Sequence, residues 1–180
     1  MESLRGKLLV AAPNLLDPNF ARTVVLIAEH TDEGAMGLVL NRPSDTSVAD
    51  AVPELEAIAG DELVHVGGPV APASVVILGD YDDPDDAGLL VAGSIGLPSA
   101  DSDLDELFVA TSRMRIFAGH AGWGPGQLDS EMEREDWIMA PAAPDEVFTN
   151  DADGLWSTVL ARKGGQFAIV ARMPLDPSLN

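Results

Sequence analysis

Apolar and polar positions along this chain alternate between two periods, and the switches between them predict its elements. Residues 7–12 form an apolar run closed by Pro13 and read as a buried strand. Residues 14–19 carry Asn, Asp and Pro and read as a loop. Residues 23–30 are rich in β-branched side chains and predict a second strand, and residues 36–40 a third. The short segment between them contains Gly34, so the pair reads as a hairpin. Asn41-Arg42-Pro43 stops the third run, because proline offers no ladder donor. Further short apolar runs at 63–66, 74–78, 89–91, 114–118, 137–140 and 167–171 predict strands.

Helical spacing appears in four places. Val48, Ala51, Val52, Leu55 and Ile58 share one face, Ser47 with Asp50 resembles a capping pair, and Pro53 predicts a kink or two short turns. Leu104, Leu107 and Phe108 predict a helix over 103–111, capped by Ser102 or Asp103. Residues 128–135 form an acidic run compatible with a helix. Leu155, Trp156, Val159 and Leu160 mark the clearest helix, over 153–163, with Lys163 in its last turn and Gly164-Gly165 ending it. Strands cluster early and helices punctuate later, which favours an α+β fold over a regular alternating parallel sheet. No repeat or linker divides the chain, so residues 1–180 read as one domain with a core over about 4–173.

Charge narrows the partners. The chain carries 30 acids against 10 bases, a formal net charge of −20. Nucleic-acid binding depends on Lys and Arg displacing counterions, and the nearest thing to a basic patch is Arg113-Met114-Arg115. Direct nucleic-acid contact is therefore disfavoured, and the partner is expected to be a small molecule or a protein. Cysteine is absent, which removes disulfide and thiolate-metal schemes. The first residues show no signal-peptide apolar region, and no stretch approaches a membrane span, so a cytoplasmic protein with no membrane partner is the expectation.

The candidate chemistry centres on Gly119-His-Ala-Gly-Trp-Gly-Pro-Gly-Gln-Leu128. So many glycines are needed where backbone takes positive φ or is approached closely. The stretch reads as strand, glycine-rich crossing, helix. It is neither a dinucleotide fingerprint nor a P-loop, and Pro125 removes a donor where a phosphate would want one. The glycines read either as packing room beneath Trp123 or as a ligand pocket. His30, His65 and His120 show no metal-ligand spacing, and no cofactor is expected. Residues 80–86 hold five aspartates and read as an exposed acidic loop without the glycine and glutamate positions of an EF-hand. No nucleophile elbow is present. Arg42, just past a strand end, reads as a loop pin or as an anion clamp.

Taken in order, several blocks carry a resemblance. They are Gly6-Lys-Leu-Leu-Val-Ala-Ala-Pro13, Leu16-Asp-Pro-Asn-Phe20, Thr23-Val-Val, Glu29-His30 and Gly34-Ala-Met-Gly-Leu-Val-Leu-Asn-Arg-Pro43. Gly67-Gly-Pro-Val70, Gly119 to Leu128, Glu131, Trp137 and Trp156 follow. The set resembles the AlgH/YqgE family of small bacterial proteins, over nearly the whole chain. The resemblance implies an α+β domain with a bifurcated, mostly antiparallel sheet folded into a pseudo-barrel with three or four flanking helices. It also implies a transcriptional-regulator label that comes from a genetic link to alginate production. The positions matching the family are Asn41, Arg42, Gly67, Gly68, Pro69, Trp123, Gln127 and Glu131. With His120, Gly122 and Gly124 they form the expected pocket. His120 stands where the family commonly has an aromatic such as tyrosine. The expected function is a non-enzymatic regulatory domain that binds a ligand or protein. The alternative is a hydrolase or transferase using His120 and a nearby carboxylate.

Overall fold

The computed structural model describes residues 2–174. Ten strands make one open sheet: β1 (Lys7–Ala11), β2 (Val24–Thr31), β3 (Gly34–Val39), β4 (Pro43–Ser47), β5 (Leu63–Val66), β6 (Val70–Tyr81), β7 (Leu89–Ala92), β8 (Ile95–Leu97), β9 (Thr111–Trp123) and β10 (Trp137–Pro141). The order is β10-β1-β2-β3-β9-β6-β8-β7. A branch leaves β9, where β5 pairs in parallel and carries β4 on its outer side. The expected bifurcation is therefore at β9. The β7 end curls towards the chain ahead of β1, where Arg5 donates to the Leu90 carbonyl, but no ladder closes the sheet among the described residues.

The apolar runs of β1 and β2 are continuous because both faces of this part of the sheet are covered. Leu8, Val10, Val24, Leu26, Leu38 and Leu40 face α6 (Ala152–Lys163), whose Leu155, Trp156, Val159 and Leu160 are buried against them. Leu9, Ala11, Val25, Ile27 and Val39 pack on the opposite face with Trp123, Leu128 and Trp137. Each such burial contributes about 1.5–3 kcal/mol. A third cluster joins Ile116 and Met114 of β9 to α1 (Val48–Ala51), α2 (Glu56–Ala59) and α3 (Leu104–Ala110). The Ser47 side chain accepts from Asp50 N–H, and a 3-10 turn at Pro53–Leu55 separates α1 from α2, as the capping pair and proline predict. Asp103 and Glu106 close a full capping box on α3. The set is completed by α4 (Gln127–Glu133), α5 (Pro144–Val147) and α7 (Gln166–Val170). Of the seven helices, three run seven residues or longer.

Four expectations are corrected. Residues 167–171 lie in and just after α7, a helix, not a strand. Gly164 and Gly165 take φ of 78° and 58° and fold the segment back on α6, where its N–H groups close on carbonyls within the turn. Residues 119–123 are strand, so the loop shrinks to Gly124–Gly126 before α4. The strand near residue 74 runs the full length of β6, because β9 offers it a partner that long. Asp80 and Tyr81 are buried in β6, and only Asp82 to Asp86 form an exposed loop. The unpredicted β4 and β8 are short pieces that exist through their pairing with β5 and with β6 and β7.

Candidate functional site

The glycines of the expected pocket turn out to meet one another. β5 and β6 lie on opposite sides of β9, both in register with Phe117 and Ala118. Gly67-Gly68-Pro69 therefore carries the chain across β9. The crossing is in backbone contact. A Cβ on Gly68 would sit 2.2 Å from the His120 carbonyl carbon, one on Gly67 2.3 Å from the Gly119 oxygen, and one on Gly119 2.6 Å from the Gly68 oxygen. No side chain fits at any of the three. Gly67 N–H donates to Ala118 O and Val39 N–H to Gly67 O, so the crossing also locks the branch of the sheet.

The other expected residues divide into two groups. At the far end of β9, Gly124 N–H donates to Gln127 Oε1 at 3.0 Å, which shapes the turn into α4. Glu131 Oε1 accepts from the Trp137 indole N–H at 3.3 Å. Trp123 is buried, stacks on Phe20 at 6.2 Å and meets Trp137 edge-on at 6.1 Å. Gly122 is exposed beside Val70. His120 is half-buried opposite Val70, and among the described residues its side chain makes no hydrogen bond or ion pair. The histidine that meets a carboxylate is His30, with Nε2 3.1 Å from Asp129 Oδ1.

Asn41 and Arg42 occupy a different place, at the end of β3. Asn41 Oδ1 accepts from Val24 N–H at 3.0 Å, and its Nδ2 donates to Arg22 O at 2.9 Å. Arg42 donates to Asn19 O at 2.6 Å and Ala21 O at 3.2 Å, so it pins the loop before β2. These two side chains, with Arg22, Ala152, Asp153, Trp156 and Ser157, line a recess of about 380 Å³ at the opening of α6. Arg22 was not foreseen. It takes φ of 61°, and its guanidinium lies 3.9 Å above the Trp156 ring. No local pattern announces it, because its partners come from β3 and α6.

The Arg113-Arg115 pair makes no basic patch. Arg113 bridges Asp80 and Asp145. Arg115 is buried and donates to Thr149 O, Phe148 O and Asn150 Oδ1, while its Nε finds no partner. Burial and the nearby Arg115 push the His65 pKa down to about 4, against a bond to the Leu63 carbonyl that favours the charged form. His65 therefore stays neutral across the physiological range.

A single α+β domain whose sheet branches at a glycine-locked crossing is the class that fold and site define. The pattern of the AlgH-like family matches residues 8–168, and the chain belongs to that family. A UPF0301 protein of Streptomyces coelicolor is 42% identical over 187 residues, covering 100% of this chain and 97% of the relative. One from Chlorobaculum tepidum is 38% identical over 179 residues, covering 97% and 95%. A crystal structure of a Corynebacterium diphtheriae protein superposes with TM-score 0.86 at 33% identity, over 95% of this chain and 93% of that one. The solution structure of AlgH from Pseudomonas aeruginosa gives 0.71 at 29%, over 97% and 98%. No described helix is long and apolar enough to cross a membrane.

Proposed function

We propose that this chain is a small-molecule-binding regulatory domain of the cytoplasm, acting through its ligand and a protein partner rather than by direct DNA contact. Its ligand enters the recess between the Asn41-Arg42 turn and α6. One observation carries this reading. Of the expected site residues, those in the glycine crossing are occupied by backbone contact and Gln127 and Glu131 by local bonds, whereas Asn41 and Arg42 border an open cavity of ligand size. The charge of −20 supports the absence of direct DNA contact.

A thermal-shift screen against nucleotides, cofactors and common metabolites tests it. A ligand at about 100 times its Kd stabilises the fold by roughly 2.7 kcal/mol. The expected hit loses its shift in Ala152→Phe, which fills the recess, and keeps it in Gln127→Ala. A hit that behaves the other way round moves the site to the glycine-rich turn. A flat screen removes the small-molecule reading.

A further inference from the structure

Three features of the recess point to the chemistry of its occupant. The first is its cations. Ion pairs among the described residues engage Arg113, Arg134 and Arg162, each with a carboxylate, but neither Arg22 nor Arg42. Each guanidinium carries five N–H donors. Described protein atoms accept two bonds from Arg42 and one from Arg22, all through neutral carbonyls. In a chain with three acids for every base, two guanidinium groups bordering one cavity without a carboxylate of the described residues in contact run against composition. Burial lowers both pKa values, with Asp17 opposing it at Arg42, yet a guanidinium remains charged.

The second feature is preorganisation. Arg22 holds a positive φ, a strained conformation for a non-glycine residue. The Asn41 amide fixes the two peptides that follow Arg22 by donating to Arg22 O and accepting from Val24 N–H. The indole face of Trp156 fixes the other end of the side chain. Trp156 is itself held by its N–H on Ala11 O at 2.9 Å. Arg22 is thus set at the cavity before any ligand arrives. The third feature is sign. Among the described residues Asp153 is the only carboxylate lining the recess, and the −20 of the whole chain acts weakly there because exposed charges are screened beyond about 8 Å at physiological salt.

We infer that the recess binds a small molecule through an oxyanion, a phosphate or carboxylate group, held between Arg22 and Arg42. Planar guanidinium forks match both groups bidentately. The inference rests on the recess being the ligand site and adds the class of ligand it accepts.

The test is titration of the full chain with inorganic phosphate and, separately, with succinate, at constant ionic strength set by chloride. It is read by NMR on the arginine Nε–H and tryptophan indole signals. Saturable shifts at Arg22 and Arg42 are expected with at least one probe, and the stronger probe names the group. Arg22→Gln should weaken binding tenfold or more, and Asp153→Asn, which removes that carboxylate, should tighten it about threefold. Should Arg22→Gln fail to fold, the exposed Asp153→Asn carries the test alone. Shifts that do not saturate with either probe, or an affinity unchanged in Asp153→Asn, overturn the inference. A neutral or cationic hit that Ala152→Phe abolishes would overturn it too, while leaving the recess as the ligand site.

Discussion

The crossing at Gly67-Gly68 and the recess at Arg22-Arg42 adjoin one another in the sheet, where Val39 N–H donates to Gly67 O and Val66 N–H to Arg42 O, and they use unusual residues in opposite ways. At the crossing, three glycines bring two backbones into contact, and no room for a side chain is left over. At the recess, two arginines and an asparagine satisfy part of their hydrogen-bonding capacity on loop carbonyls and present the rest to a cavity. A concentration of rare residue types therefore marks a constraint, and only the partners show whether it is architectural or open to a ligand. The free donors, rather than the glycines, locate the candidate site.

Three experiments break or sharpen that contrast. The largest effect is expected at the crossing. Gly68→Ala places a methyl 2.2 Å from backbone that cannot move aside without separating β5 from β9, and should cost about 4 kcal/mol or more in denaturant unfolding. A loss below about 1 kcal/mol would mean the two chains are not in contact. Next comes acid. His65, in β5 beside the crossing, is held neutral with its pKa lowered to about 4. The unfolded chain takes up a proton near pH 6.5 while the folded one does not, so stability is full above about pH 6.5 and falls as pH drops towards 4. The loss should be about 2 to 3 kcal/mol in wild type, and a pH series on His65→Gln should lack this component. An identical slope in both proteins would place the loss elsewhere. The smallest effect is at the recess. Asn41→Ala removes the bonds to Arg22 O and from Val24 N–H and should cost about 1 to 2 kcal/mol, with a more mobile Arg22 Nε–H signal by NMR relaxation. An unchanged Arg22 signal would show that Trp156 and the Pro174 carbonyl set that side chain without Asn41.

Much of the secondary structure was legible in sequence because local chemistry decides it. Pro53, Ser47 and the Asp103-Glu106 box act within a turn, and the elements around them appear as expected. The 167–171 run misled because five apolar residues suit a strand or a helix equally, and the two glycines before it, not its own pattern, chose the helix. Within the candidate site, Asn41 and Arg42 stood out as polar groups at a strand end. Arg22 did not, since its importance comes from contacts with β3 and α6.

By itself the sequence determined the family, through ordered blocks from Gly6 to Trp156, the α+β class, and the excess of acids over bases. Order, periodicity and charge are properties of the chain before it folds. Only the tertiary structure decided that Gly67 and Gly119 exist for each other, that Arg113 and Arg115 cancel as a basic patch, and that Arg22 joins Arg42 at one cavity. Those facts depend on which distant segments the sheet brings together. Hydrogen-bond satisfaction and close approach are relations between segments, and no local pattern encodes them.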